Sequence, residues 1–166
     1  YRFVPLSFLK NLGETQIERV DKSLHSKRRM AVLLLRFRMS DAGRSMGTQD
    51  IFESINGVFE QLIPIIGEHG GTAYNFLYNG FSSADDALRA AIRMRESAGA
   101  YNEVCRLKGK RTADVRVVIS ESDVLLGFIG DEKRMEPTAV SDVITEAEEI
   151  EKICDDSGLY IVCTEE

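Results

Sequence analysis

The spacing of hydrophobic positions along the chain changes repeatedly, and each change predicts a different element. Apolar residues recur at spacings of three and four over residues 51–66, which predicts a long amphipathic helix. Ser83 with Asp86 predicts the capped start of a second helix. The segment "SDVITEAEEIEKICDDSG" has apolar positions on one side and acids on the other, so it predicts a third.

Between these helices the pattern favours strands. The run "MAVLLLRF", residues 30–37, predicts a buried strand that ends at Arg36 and Arg38. "GTAYNFLYNGF" predicts a hairpin that turns at Asn79-Gly80. "ADVRVVISES" and "SDVLLGFIGD" predict two strands joined by a polar turn, and "LYIVCTE" a last strand. Helices interleaved with hairpins predict an α+β sandwich on one mainly antiparallel sheet.

Size and charge narrow the classes of protein that fit. The 166 residues suit a single domain, 1–166, with a short N-terminal helix over 5–12 and a core from about 29 to 166. The first residue is not Met, so we expect a piece of a longer protein. A net charge of −6 disfavours a nucleic-acid partner. The basic stretch "HSKRR", residues 25–29, is interpreted as a solvated loop.

The cysteines indicate a reducing compartment. The three cysteines form no C-x-x-C pair, and no His lies at ligand spacing from them, which argues for free thiols and against a zinc site. No apolar run reaches the roughly 20 residues of a membrane helix. We therefore expect a cytoplasmic domain, and leave open a membrane anchor elsewhere in the protein.

Several segments, taken in order, resemble the catalytic domain of the class III nucleotidyl cyclases, which are well represented in bacteria. They include "FEQLIPIIGEHGG", "ADDALRAAIRM", "LLGFIGDEKRM" and "PTAVSDVITEAEEIE". The resemblance implies a ferredoxin-like α+β fold, a head-to-tail homodimer with nucleotide sites at its interface, and an upstream sensor module in the same chain. The family converts ATP or GTP into a cyclic nucleotide and pyrophosphate.

In that family two aspartates of one subunit hold two Mg²⁺ or Mn²⁺ ions, which activate the 3′-hydroxyl and neutralise the triphosphate. The first aspartate position falls on Arg36 of this chain, and Arg38 matches the arginine that follows. The second aspartate position falls on Asn79. A guanidinium repels a dication and an amide is a poor ligand for one, so the resemblance implies that the metal site has been lost and that no metal cofactor is needed.

The partner subunit supplies the other half of the family's site. Its base-reading lysine maps to Asn75, and its transition-state asparagine and arginine map to Thr145 and Glu149. Glutamate has the wrong sign for stabilising phosphate charge. Thr138, at a base-contacting position, agrees with the family, so Thr138, Arg36, Arg38 and Asn75 are the candidates for nucleotide contact.

Three functional hypotheses follow. The first is a catalytically inactive signalling and dimerisation domain, a pseudoenzyme. The second is a cyclase with an altered site that uses Asp41, Asp85 or Asp86 and needs Mg²⁺ or Mn²⁺. The third is a metal-free nucleotide sensor in which Arg36 and Arg38 bind phosphate directly. The exchanged charges of Arg36 and Glu149 also suggest an ion pair between subunits.

Overall fold

The structure is a computed structural model that describes residues 4, 6–13, 23–40, 47–74, 77–130, 135–143, 146, 149–150 and 160–164. Its helices are α1 (Leu6–Leu12), α2 (Thr48–Glu68) and α3 (Ala84–Leu107). Its strands are β1 (Ser26–Met39), β2 (Thr72–Ala73), β3 (Tyr78–Phe81), β4 (Ala113–Gly130), β5 (Met135–Val140) and β6 (Ile161–Cys163). Val143, Glu146, Glu149 and Ile150 have helical backbone, inside the third predicted helix.

One mixed sheet organises the described part of the chain. Its order is β2-β3-β1-β4-β5, all antiparallel, and β6 runs parallel to β4. Helices α2 and α3 pack on one face, and α1 packs on the other. The predicted α+β sandwich on a mainly antiparallel sheet is therefore confirmed.

The pairing of β1 with β4 is much longer than the sequence predicts. Along all 14 residues of β1 the two strands stay in register, from Ser26 opposite Leu126 to Met39 opposite Ala113. The predicted polar turn near residues 120–123 is wrong, because those residues pair with β1 and the strand runs on to Gly130. No Gly, Pro or Asn interrupts that stretch, so nothing in it forces the chain to turn.

The stretch interpreted as a solvated basic loop is also part of this pairing. Ser26–Arg29 opens β1, and Lys27 Nζ lies 2.7 Å from Asp123 Oδ2 on β4. The Lys27 ammonium holds the pKa of Asp123 below its usual range by hydrogen bonding and by charge. Both side chains are more than half exposed to solvent. The ion pair therefore adds little to the stability of the fold.

Alternate residues of β1 face two separate cores. Ala31, Leu33 and Leu35 pack under α2 and α3, whereas Val32 and Leu34 pack under α1. Leu33 and Leu35 are fully buried, and burial of such a side chain stabilises the fold by about 1.5–3 kcal/mol. Because the side-chain period of a strand is two, the parity of a residue number decides which face of the sheet it occupies.

The first hairpin is built differently from the Asn-Gly turn that the sequence suggests. Asn79 and Gly80 lie inside β3, where they pair with Ala73 and Thr72 of β2 and do not form the turn. A Cβ on Gly80 would lie 2.4 Å from the Tyr74 hydroxyl. Glycine is therefore required at position 80 because the buried Tyr74 side chain packs directly over it, and not because the backbone turns there.

A buried asparagine fixes the start of β4 against α3. Asn102 Nδ2 donates to the carbonyl of Ala113 at 2.8 Å, and Asn102 Oδ1 accepts from the Ala113 N–H at 2.8 Å. One side-chain amide thus satisfies both backbone groups of a residue that is 2% exposed.

We expect Asn102→Ala to lower the free energy of unfolding by about 2–4 kcal/mol, because it leaves a buried N–H and a buried C=O without partners. Urea denaturation of the two proteins measures the difference. Glu103→Ala, which removes an exposed carboxylate that pairs with Arg106 on the same helix, serves as control and should change stability by less than about 0.5 kcal/mol. Equal stability of Asn102→Ala and the parent would contradict the assigned role.

Candidate functional site

The end of β1 carries a ladder of three polar cross-strand pairs. Arg36 lies opposite Arg116 and Arg38 opposite Asp114, and beyond them Ser40 meets Thr112. All six residues have even numbers, so they continue the face that Val32 and Leu34 begin under α1. We call these six residues the arginine ladder.

Short contacts order the β4 side of the ladder. Arg116 Nε donates to Asp114 Oδ2 at 3.0 Å, and the Arg116 side chain is only 19% exposed. The Ser40 hydroxyl oxygen accepts from the Thr112 N–H and from the Thr112 hydroxyl, both at 3.0 Å. Arg36 is half-buried and Arg38 is exposed. The arginine of β4 is therefore held by a carboxylate and largely buried, whereas the two arginines of β1 lie closer to solvent.

Arginine predominates among the charged residues of the ladder. Three guanidinium groups and one carboxylate come together at this end of the sheet, on a chain whose net charge is −6. Arg36 and Arg116 are directly opposite, where Cβ atoms lie about 4.5–5.5 Å apart and like charges destabilise a sheet. Such an arrangement attracts anions and repels cations.

A divalent metal does not fit these residues. Guanidinium groups cannot act as ligands, and the single carboxylate of the ladder, Asp114, already accepts a hydrogen bond from Arg116. Within the described ranges no group of three or more His, Cys, Asp or Glu side chains is placed to hold a metal ion.

Asn79, the other predicted metal position, is separated from Arg36 by the sheet itself. It lies opposite Leu33 in β3, so its side chain is on the α2–α3 face. The side chain is fully buried, Nδ2 donates to the Leu33 carbonyl at 3.4 Å, and Oδ1 has no hydrogen-bond partner among the residues that the structure describes. The residues of β3 on the face of Arg36 are Tyr78, opposite Leu34, and Gly80, opposite Val32. The structure therefore does not bring the two positions together.

Thr138 lies at the far end of the sheet, on β5 opposite Gly127. It borders a cavity of about 200 Å³ whose other walls include Leu24, His25, Leu125, Ile129 and Val140. The Thr138 hydroxyl donates to the Glu136 carbonyl at 3.4 Å. Leu125, Ile129 and Val140 are 44–61% exposed, so this hairpin of β4 and β5 presents an uncovered apolar surface, which we call the hairpin patch.

The ladder and the hairpin patch cannot belong to one site of one chain. Arg116 and Gly127 are both on β4, about 35 Å apart at the usual rise of about 3.3 Å per residue. Their residue numbers also have opposite parity, so they face opposite sides of the sheet. A single nucleotide contacts both regions only if they come from two copies of the chain.

The remaining predicted positions are less informative. Glu149 is exposed in a helical stretch. Thr145, Asn75 and Asp41 lie outside the described residues, and the ion pair between Arg36 and Glu149 of two subunits stays a prediction. Asp85 and Asp86 lie in the first turn of α3, where Asp86 N–H donates to the Ser83 hydroxyl at 3.4 Å.

Sequence reasoning missed the β4 half of the ladder. Asp114 and Arg116 are polar residues two apart in "ADVRVV", a segment whose odd positions are apolar. That alternation is the signal of a strand with one polar face. Their meeting with Arg36 and Arg38 depends on the register of β1 against β4, which a single sequence does not specify.

The comparisons with known proteins agree on the fold. No protein-family profile matches the chain. It is 26% identical over 175 residues to an adenylate cyclase of Anabaena cylindrica, which covers 99% of this chain and 35% of that protein. An adenylate cyclase of Dictyostelium discoideum is 25% identical over 177 residues, covering 99% of this chain and 8% of that protein. The chain thus spans about a third or less of the length of these relatives.

The solved structures extend the agreement to three dimensions. The guanylyl cyclase Cya2 matches with a TM-score of 0.67 and 23% identity, over 77% of this chain and 71% of that chain. A bacterial light-regulated adenylyl cyclase matches with a TM-score of 0.75 and 15% identity, over 96% and 48%. The chain therefore has the ferredoxin-like fold of class III nucleotidyl cyclase catalytic domains, and the resemblance found in the sequence is confirmed at that level. None of the described helices has both the length and the apolar character that crossing a membrane requires.

Tyr74 links the first hairpin to α1. Its ring packs edge-on against Phe8 with centroids 5.5 Å apart, and its hydroxyl donates to Met30 Sδ at 3.1 Å. Burial raises the pKa of Tyr74 to about 12. The folded protein therefore keeps the phenol protonated in a pH range where the unfolded chain, with a pKa near 10, loses the proton.

We expect stability to fall as the pH rises from about 10 to about 12, because the folded state binds more protons than the unfolded state in that window. Tyr74→Phe should reduce the loss at pH 11 by about 1.4 kcal/mol, since phenylalanine does not titrate. Urea midpoints at pH 8 and pH 11 measure the effect. Tyr160→Phe, at a half-exposed tyrosine, is the control. A parent and a Tyr74→Phe variant with the same alkaline loss would contradict the argument.

Proposed function

We propose that this chain is a catalytically inactive cyclase-like domain that acts in signalling as a head-to-tail homodimer, within a longer sensor protein. The observation that carries the proposal is the pairing of Arg36 with Arg116 at the end of β1. In the resemblance this strand end presents a metal-binding carboxylate, whereas here two guanidinium groups stand together. A site with that charge does not concentrate the dications on which the family's reaction depends.

Two further observations support the loss of chemistry. Asn79 is neutral, fully buried and turned toward the α2–α3 core, so it is not available to a ligand on the face of Arg36. Glu149, where the family has an arginine, is exposed and acidic. On this alignment Asn79 removes a metal ligand that the family's reaction needs. Glu149 removes a positive charge that the reaction needs at another point of the site.

The placement of the two uncovered surfaces supports the dimer. The arginine ladder and the hairpin patch lie at opposite ends and on opposite faces of one sheet, so an antiparallel pair of chains brings the ladder of one copy toward the hairpin patch of the other. The patch is apolar and half-exposed at Leu125, Ile129 and Val140, which is typical of a surface covered by a partner.

An active adenylate cyclase is the alternative function. The similarity to adenylate cyclases over 99% of the chain favours it. The alternative needs carboxylates outside the ladder to hold the metals, and Asp85 and Asp86 lie in the first turn of α3, where their negative charge also favours the helix dipole. A product assay separates the two functions directly.

We expect the protein to form no cyclic AMP or cyclic GMP above the rate without protein when it is incubated with Mn²⁺ and ATP or GTP. Chromatography of the reaction mixtures detects either product. A catalytically active class III cyclase assayed in parallel shows that the conditions support turnover. Cyclic product that increases with protein concentration and disappears on addition of EDTA would establish the alternative.

Ile129→Asp together with Val140→Asp should dissociate the dimer, because each change buries a charge in an apolar contact. Sedimentation velocity at several concentrations measures the change from dimer to monomer. Leu107→Asp is the matched control, since Leu107 is an 89% exposed leucine at the end of α3, away from the hairpin patch. A monomeric parent, or a dimer that survives both substitutions, would contradict the proposed interface.

A further inference from the structure

We propose that the corner between α3 and β4, residues 104–111, docks the domain onto an anionic membrane surface. This α3–β4 corner carries an exposed leucine flanked by basic residues, and it lies outside both the arginine ladder and the hairpin patch. The ligand is a bilayer that contains acidic phospholipids, which presents negative headgroups above apolar chains. The inference goes beyond the proposed function and does not depend on whether the domain is catalytically active.

A backbone turn closes the end of α3. Gly109 has a φ of +63°, a conformation that favours glycine. The Gly109 N–H donates to the Arg106 carbonyl at 3.1 Å, and the Lys110 N–H donates to the Cys105 carbonyl at 2.8 Å. This pair of hydrogen bonds is the Schellman motif, which satisfies the last carbonyls of a helix with backbone donors. The lysine side chains are therefore not needed to cap the helix.

The corner projects from a fixed base. Asn102 holds both backbone groups of Ala113 at 2.8 Å, so the end of α3 and the start of β4 are tied together. A Cβ on Gly109 would meet no atom of the described residues within 4 Å. The turn therefore protrudes into open space, and its position relative to the core is set by the buried asparagine.

The corner concentrates positive charge on an acidic protein. Residues 106–111 include four cations and no acid, whereas the net charge of the chain is −6. Arg106 pairs with Glu103 on the same helix. Lys108 and Lys110 are exposed, and neither forms an ion pair within the part of the chain that the structure describes. The dipole of α3 favours cations at Arg106 and Lys108, but Lys110 lies beyond the helix end and has no such role.

Apolar side chains at this end of the domain are in contact with solvent. Leu107 is 89% exposed, and Val104, almost one turn earlier on α3, is 47% exposed. Phe52, near the start of α2, is 64% exposed. It lies at the same end of the sheet, because α2 begins shortly after Met39 and α3 ends shortly before Ala113, and these two residues pair. Entry of such side chains into a bilayer removes apolar surface from water.

Shape and composition favour a bilayer over an acidic protein. The corner is convex and presents Leu107 beside lysines, whereas protein interfaces are depleted in lysine, and leucine is under-represented among their dominant contacts. A protein partner needs a pocket that fits Leu107 and acids placed opposite the lysines. A fluid bilayer needs neither, because its headgroups rearrange around a projecting side chain. Leucine and phenylalanine beside basic residues are typical of segments that bind membrane surfaces.

Co-sedimentation with lipid vesicles tests the proposal. We expect the protein to bind vesicles of phosphatidylcholine mixed with phosphatidylserine, to bind vesicles of phosphatidylcholine alone far more weakly, and to dissociate as salt is added. Lys108→Gln together with Lys110→Gln should weaken binding by about 20-fold, at about fivefold for each lysine. Leu107→Gln should weaken it by about tenfold, because the variant loses the apolar side chain that enters the bilayer.

Helix α1, on the other face of the sheet, supplies matched controls. Lys10 is an exposed lysine and Leu6 a 67% exposed leucine, so Lys10→Gln and Leu6→Gln repeat the same chemical changes away from the corner. Both variants should bind vesicles as the parent does. Circular dichroism checks that every variant is folded.

A fluorescent reporter tests insertion directly. The chain contains no tryptophan, so Leu107→Trp introduces a single indole at the corner. Its emission should shift to shorter wavelength when phosphatidylserine vesicles are added, because the ring leaves water for the headgroup region. The emission of Leu6→Trp, the control, should stay unchanged.

Three results would overturn the inference. The first is no binding to phosphatidylserine vesicles at low salt, or equal binding of the parent and the double lysine variant. The second is vesicle binding with no shift in the emission of Leu107→Trp, which places another surface on the membrane. The third is binding of soluble polyglutamate but not of vesicles, weakened by the lysine substitutions, which assigns the corner to an acidic protein. All three leave the assay for cyclic product, which contains no lipid, unaffected.

Discussion

The pairing of β1 with β4 is the constraint on which the rest of this structure depends. It holds one register over 14 residues, so a single alignment of two strands decides the face of every side chain along them. The alternation of Leu33 and Leu35 with Val32 and Leu34 supplies both cores at once. A slip by one residue would exchange these two sets between the cores and turn Arg36 toward the face of α2 and α3, so the hydrophobic core fixes the arginine ladder in place.

The ladder and the hairpin patch are consequences of where the helices stop. Over the middle of the sheet both faces are covered, and there the alternate residues of β4 are apolar. Toward residues 112–116 the positions on the face of α1 are taken by half-buried polar residues. Toward residues 125–130 the opposite face is uncovered, and Leu125 and Ile129 remain there in contact with solvent. Charge at one end and apolar surface at the other give the two ends different binding chemistry.

The elements were predictable where local signals dominate. The long apolar period of α2, the Ser83 start of α3 and the buried run of β1 need no partner to be recognised. Local composition wrongly suggested turns at residues 120–123 and at the Asn-Gly pair. Pairing with β1 keeps residues 120–123 extended. Pairing with β1 and packing of Tyr74 on Gly80 keep the Asn-Gly pair extended. The class of fold was recoverable from the order of the elements together with the ordered resemblance of several segments.

The sequence by itself determined that the end of β1 carries positive charge. Arg36 and Arg38 come at the end of a buried run, and neither position is a carboxylate. Only the tertiary structure decided what these arginines meet. It placed Arg116 and Asp114 beside them, turned Asn79 to the other face, and put Thr138 about 35 Å away along β4. The physical reason is that side-chain identity is local, whereas register and burial depend on pairing between residues far apart in the chain.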